Sequence, residues 1–263
     1  MIRPASTVPA DYVIPEDVLE LTESDPTPVW LNQTGGLTVR FETVHRTRYL
    51  KRNLLPSTED LALEAEKLRW LHCRHPVPTV VEHMRRNFDG RTVEYLITEA
   101  LSGTNAVHPR NSAEANRTIV AIAHGLRALH SLPIDECPWT WSIEDRLQTI
   151  DAEAAATGLA TSASEFGPVA AGDLGLAPDI DRLVVCHGDP CAPNTLLNED
   201  GSFLANVDMQ RLGVADRWAD LAVATMSFHW NYVDYDESLF WETYGVEPDA
   251  ERIRYYRALW NAE

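Results

Sequence analysis

The stretch that most constrains this chain is Val184-Val185-Cys186-His187-Gly188-Asp189-Pro190-Cys191-Ala192-Pro193-Asn194, read together with Val207-Asp208. The apolar run Leu183-Val184-Val185 predicts a buried strand, and the loop after it presents Asp189 at the strand end. Asn194 opens a second strand, Thr195-Leu196-Leu197, and Asn198-Glu199-Asp200-Gly201 turns the chain back. The returning strand Phe203 to Val207 then delivers Asp208 beside Asn194. Two hard oxygen ligands converge in this way on one site of the kind that holds Mg²⁺. Asp189 is left where it can take the proton of an attacking hydroxyl. A plain polar loop between two strands uses the same residue types. Three residues that keep both spacing and strand context favour the site.

Cys186-His187-Gly188-Asp189 with Asn194, followed by Asp208-Met209-Gln210-Arg211-Leu212-Gly213-Val214-Ala215-Asp216-Arg217-Trp218-Ala219-Asp220, resembles the aminoglycoside phosphotransferases. The resemblance is to those acting on the 3'-hydroxyl and to their streptomycin-directed relatives. It implies a protein-kinase-like fold and transfer of the γ-phosphoryl of ATP or GTP to a hydroxyl of a small molecule. On that resemblance Asp189 is the catalytic base and Asn194 and Asp208 hold Mg²⁺. Arg211 is a second catalytic residue next to the metal site, and Asp220 supports the loop from behind. Gln210 stands where the family usually has Gly, a substitution expected to crowd the metal loop.

At 263 residues, 44% hydrophobic and 24% charged, the chain can bury a large core as one domain or two lobes. Met1 to Val13 lacks the basic and apolar regions of a signal peptide, and no apolar run is long enough to span a bilayer. The expectation is a cytoplasmic protein without a membrane partner. Four cysteines with no Cys-x-x-Cys spacing agree with a reducing compartment. Cys186 and Cys191 read as packing residues, and His72-Cys73-Arg74-His75 as a helix terminus rather than a metal site. The net charge of -18 argues against nucleic acid and suits a cationic acceptor, although solubility alone explains such a charge.

Five prolines in the first 28 residues predict an irregular arm with one helical turn near Glu16 to Leu21. Val29-Trp30-Leu31 begins the strands. Asn32-Gln33-Thr34-Gly35-Gly36 makes a turn, and Leu37 to Glu42 alternates as a half-buried strand does. That turn is equally a plain hairpin and a cover whose N–H groups reach phosphate oxygens. Arg48-Tyr49-Leu50-Lys51 is the next strand. After Ser57-Thr58-Glu59-Asp60, a helix start with a capping-box pattern, Leu61, Ala65, Leu68 and Leu71 form one apolar stripe. Glu64 lies along that stripe, whereas Glu66 and Lys67 are expected off it. A carboxylate facing a core needs a cation, and Lys51 is the candidate. The resemblance assigns the same pair to orienting nucleotide phosphates, and places the adenine against the backbone of a hinge at Thr98-Glu99-Ala100.

From Asn111 the pattern is helical, with Ile119, Ile122, Ala123, Leu126 and Leu129 facing a core up to His130-Ser131-Leu132-Pro133. A second helix starts near Ser142 and shows Ile143, Leu147 and Ile150 on one face. Ala152 to Asp179 is the least legible segment, and falls where the family inserts part of its substrate-binding region. Ala215 to Phe228 reads as a helix with Trp218, Leu221, Ala222 and Thr225 inward. The last helix runs from about Asp249 with Ile253, Tyr256 and Trp260 as its apolar face.

The expected architecture is an α/β (α+β) two-lobed protein-kinase-like fold. Residues 1–99 form a small β-rich nucleotide-binding lobe, and residues 100–263 a mainly helical lobe with the catalytic hairpin and acceptor site. The acceptor side departs from the family. Acidic pairs expected past the Trp218-Ala219-Asp220 helix and near the end of the chain are Trp230-Asn231 and Trp260-Asn261 here, with Asp234, Asp236, Glu237 and Glu263 as the acids nearby. Acceptors of two kinds therefore stay open, an aminoglycoside or a less cationic hydroxylated metabolite. So does a nucleotide-binding sensor without turnover.

Overall fold

The computed structural model describes residues 8–22, 24–32, 35–107, 109–157 and 174–262, with side chains undescribed from 151 to 157. The chain divides into two compact units, Met1–Ser102 and Gly103–Glu263. Among the described residues no helix is long and apolar enough to cross a membrane.

The first unit is an antiparallel sheet of β1 (Thr27–Leu31), β2 (Leu37–Glu42), β3 (Thr47–Leu54), β4 (Val80–Phe88) and β5 (Arg91–Glu99), in the order β1-β2-β3-β5-β4. Helix α1 (Glu16–Leu21) precedes it. The strand alternation sorts side chains by face. Leu37, Val39, Phe41, Leu50, Val93, Tyr95 and Ile97 join Val18 of α1 in one buried cluster. Asp17, almost fully buried, ties α1 down by accepting from Arg52 Nε at 2.6 Å and Tyr95 Oη at 2.5 Å. Asp89 and Gly90 turn β4 into β5 with φ of 50° and 74°, left-handed values typical of a tight hairpin.

Helix α2 (Leu61–Leu71) starts at Asp60, whose side chain accepts from Leu63 N at 2.9 Å. The cap is therefore Asp60 rather than a box built on Ser57 or Thr58. Leu61, Ala65, Leu68 and Leu71 are buried as expected. Lys67 is a correction: it is 3% exposed rather than facing water. At 100° per residue it lies only about 60° from Glu64, inside the buried face.

The second unit is mainly helical. Helix α3 (Ser112–Leu129) is capped by Asn111 and α4 (Ile143–Thr157) by Ser142, which exchanges hydrogen bonds with Asp145. The short strand β6 (Thr104–Asn105) pairs with β8 (Thr195–Leu197), which returns as β9 (Phe203–Asn206); β7 (Leu183–Cys186) pairs with β10 (Gly213–Asp216). Of the predicted buried strand, Val184 and Val185 are buried, but Leu183 is 42% exposed at the strand end.

Two helical expectations change. Ala215 and Asp216 belong to β10, and helix α5 (Trp218–Asn231) starts only after Arg217, with Asp216 Oδ1 accepting from Trp218 N. Every residue of α5 from Trp218 to Phe228 is buried, so it is the central helix of this unit rather than an amphipathic one. Helix α6 (Ser238–Tyr244) was not foreseen, and α7 (Ala250–Ala262) ends the described chain.

Candidate active site

In the first unit, β3 carries Lys51 and α2 carries Glu64 to one meeting point. Lys51 Nζ lies 2.8 Å from both carboxylate oxygens of Glu64. The Glu64 side chain is 3% exposed and that of Lys51 26% exposed. The buried carboxylate thus has its cation, and the Lys51 side chain stays partly exposed.

The turn after β1 behaves as a hairpin. Gly35 N donates to Asn32 O at 3.2 Å and Gly36 N to Asn32 Oδ1 at 2.5 Å. Asn32 Nδ2 is held in turn by Glu59 at 2.6 Å. These bonds use the two N–H groups expected near phosphate oxygens; Gln33 and Thr34 lie outside the described residues. The hinge stretch is similarly committed. Glu99 N donates to Thr79 O at 2.9 Å and Ala100 N to Thr47 O at 3.0 Å, and the Glu99 carboxylate pairs with Arg46. Thr98 is registered within the sheet between Tyr49 and Val80.

In the second unit the predicted hairpin forms. Asn194 Nδ2 donates to Asp189 O at 2.9 Å and to Asp189 Oδ2 at 3.2 Å. Asp189 Oδ1 is buried and makes no hydrogen bond. Val207 N donates to Asn194 O at 3.0 Å, which sets the end of β9 beside Asn194. Asp208 is exposed and has φ of 62°. The left-handed residue of this loop is therefore Asp208 and not Gln210, so the absent Gly at 210 imposes no backbone strain.

The loop is braced from behind as the resemblance implied. Asp220, fully buried at the start of α5, accepts from His187 N at 2.6 Å and Gly188 N at 2.9 Å. Its other partner is His130 Nε2 at 2.9 Å. Burial alone would raise the Asp220 carboxyl. The His130 hydrogen bond and charge, with His187, outweigh that and hold it below the usual carboxylate range. Cys186 and Cys191 are buried packing residues, and burial pushes both thiols well up.

Arg211 places its guanidinium 5.7 Å from the Trp141 ring centroid, and its backbone packs on Gly188. Trp141 was not anticipated in this role. Its backbone N–H donates to Val214 O at 3.0 Å, and a Cβ at Gly213 would meet Trp141 N at 2.9 Å, so Gly213 permits the close approach. A glycine inside a strand pattern is the signal for that.

The two Trp-Asn pairs resolve differently from an aromatic-amide pocket. Asn231 Nδ2 donates to Ser227 O at 2.8 Å and Oγ at 3.1 Å, and Asn261 Nδ2 to Arg257 O at 2.8 Å. Both amides turn back onto their own helices at the i−4 carbonyl. Trp230 and Trp260 come together, centroids 5.5 Å apart and tilted by 41°, on a buried patch that includes Cys191. Glu263 and most of the Ala152–Asp179 segment, residues 158–173, lie outside the described residues.

The family model of the phosphotransferase enzyme family matches residues 32–260. The aminoglycoside 3'-phosphotransferase of Streptomyces fradiae is 38% identical over 224 residues, 77% of this chain and 80% of that one. The crystal structure of a type VIII aminoglycoside-3'-phosphotransferase superposes with a TM-score of 0.75 at 28% identity, covering 89% of this chain and 92% of the other. An aminoglycoside phosphotransferase from Streptomyces rimosus, in complex with ADP and streptomycin, superposes with a TM-score of 0.69 at 27% identity, covering 87% and 92%.

Proposed function

The chain belongs to the phosphotransferase enzyme family and is a small-molecule O-phosphotransferase, and we propose that it moves the γ-phosphoryl of MgATP to a hydroxyl of an aminoglycoside-type compound, with weakly basic members preferred. ADP in the Streptomyces rimosus relative supports ATP as the co-substrate. The single observation that carries the chemistry is the Asp189 carboxylate, partly exposed at the end of the loop and held in place by Asn194. That carboxylate is the proton acceptor.

The acceptor O–H donates to Asp189, and its oxygen attacks the γ-phosphorus. The bond from γ-phosphorus to the β,γ-bridging oxygen breaks, its electron pair leaves with ADP, and Asp189 keeps the proton. Lys51, oriented by Glu64, contacts the phosphates, and the Thr98-Glu99-Ala100 stretch meets the adenine through backbone carbonyls. Arg211 adds positive charge near the transferred group. The donor set fits a hard divalent cation: the Asn194 amide nitrogen is committed to Asp189, which leaves its carbonyl oxygen for the ion, together with the exposed Asp208 carboxylate. Bound there, Mg²⁺ supplies neutralising charge for the phosphates.

The preference among acceptors rests on the Trp230–Trp260 pair. Ring faces suit a sugar or planar group, whereas a polycation is better served by several acids together. With both amides turned inward, the two pairs offer aromatic surface in place of four carboxylates. The test is kcat/KM across an acceptor panel at two salt concentrations. The expected result is turnover that favours less basic hydroxylated compounds over kanamycin and neomycin. Efficient, strongly salt-sensitive phosphorylation of kanamycin would overturn the preference.

A further inference from the structure

Behind the His187-Gly188 backbone lies a line of three polar side chains, Asp220 and His130 buried and Tyr244 partly buried. Tyr244 is the last residue of α6, which stops there because Gly245 takes a left-handed φ of 87° and its N–H closes on Trp241 O at 2.8 Å. Arg127 of α3 holds the same helix end by donating to Thr243 O at 3.2 Å. The Tyr244 hydroxyl lies 2.7 Å from His130 Nδ1, with the rings edge-on at 5.6 Å. His130 caps the C-terminus of α3, and its Nε2 is 2.9 Å from Asp220 Oδ2. Asp220 then receives both loop amides.

His130, Cys186 and Asp220 place ligand-type atoms within 4.8 Å of one another. A metal does not suit them, since His130 and Asp220 are spent on each other and burial keeps the Cys186 thiol protonated. The cluster is a hydrogen-bond network, and its outer member is Tyr244.

We propose that Tyr244 and His130 are positioning residues for phosphoryl transfer, fixing through Asp220 the His187-Gly188 backbone from which Asp189 projects. An imidazole orients a carboxylate only when its second nitrogen is held, and a phenol at Nδ1 holds it. Burial keeps that phenol protonated. Without it, Nδ1 is a buried polar atom with no partner, and the ring loses the contact that sets its orientation. A displacement of about 1 Å at a reacting group costs roughly 10²-fold in rate, so a softer anchor reaches kcat.

The inference rests on Asp189 as the base, and its test separates the two. Tyr244→Phe keeps the ring and removes only the hydroxyl. The expected result is a fall in kcat of about 3- to 10-fold, with KM for ATP and acceptor unchanged within about twofold. Backbone hydrogen exchange at His187 and Gly188, measured without substrate, should quicken by a similar factor. His130→Gln retains an N–H donor toward Asp220 and should lose less than His130→Leu. Adding Tyr244→Phe to His130→Gln should cost nothing further, because the two act in series. Wild-type kcat in Tyr244→Phe, unchanged exchange at those two amides, or additive effects of the two substitutions would each overturn the proposal. Failure of the base assignment shows up elsewhere, as retained turnover in Asp189→Asn, and leaves the exchange result standing.

Discussion

Gly188 packs its Cα against the backbone of Arg211: a Cβ at Gly188 would lie 2.5 Å from Arg211 Cβ and 2.8 Å from its carbonyl carbon. The residue also has φ of 87°. Gly188→Ala therefore meets a steric and a conformational cost together, of about 2 kcal/mol or more. The expected outcome is a lowered Tm and a loss in kcat of about 10²-fold, because relief moves either Asp189 or the Arg211 loop. Thermal melts and steady-state kinetics check it; wild-type kcat with an unchanged Tm contradicts the packing.

Glu64 and Glu66 sit two residues apart on α2, one buried against Lys51 and the other exposed. Glu64→Ala leaves Lys51 without its orienting partner and should lower kcat/KM for ATP by about 10- to 100-fold. Glu66→Ala should leave it within about twofold. Equal effects from the two substitutions would remove Lys51–Glu64 from the nucleotide site.

The catalytic hairpin and the Lys51–Glu64 contact were legible because each is a local pattern: a strand, a spaced loop, or one stripe of a helix. What was not legible depends on partners distant in sequence. Gly213 to Asp216 becomes a strand only because β7 and Thr140 lie alongside. Ser238 to Tyr244 contains few strong helix formers, and forms a helix because Phe240 and Trp241 bury against Phe228 and Trp218. The signal available for α6 was the aromatic triplet Phe240, Trp241 and Tyr244 closed by Gly245. The inward turn of Asn231 and Asn261 likewise needs the helix geometry, since residue type alone fits an outward amide equally well.

In the proposed reaction Asp208 is one of the two ligands to the nucleotide's cation. Asp208→Ala should abolish most of the Mg²⁺-dependent gain in ATP affinity at a cost to stability of only about 1 kcal/mol, since the side chain is exposed but Ala is less favoured than Asp at a φ of 62°. Calorimetric titrations of ATP with and without Mg²⁺ measure this. Equal Mg²⁺ dependence in variant and wild type removes Asp208 from the metal site.

Asp220 ties acid stability to the catalytic loop. Its folded-state pKa lies below the ordinary 3.8, so it binds protons less readily when folded than unfolded. Its contribution is therefore complete above about 3.8 and is lost as pH falls through the lower folded value. Asp220→Asn should be less stable than wild type by about 2 kcal/mol at neutral pH. That gap should hold from pH 7 to 5 and close only in stronger acid. Urea melts at several pH values check it, and a gap already gone at pH 5 contradicts the assignment.

Whether Asp189 accepts the acceptor's proton is read from the kcat of Asp189→Asn beside its ATP dissociation constant. Asn keeps the shape and the capacity to bond Asn194, but it is not a base at neutral pH. The expected result is a fall in kcat of about 10²- to 10⁴-fold with ATP affinity nearly unchanged. Turnover close to wild type would contradict it.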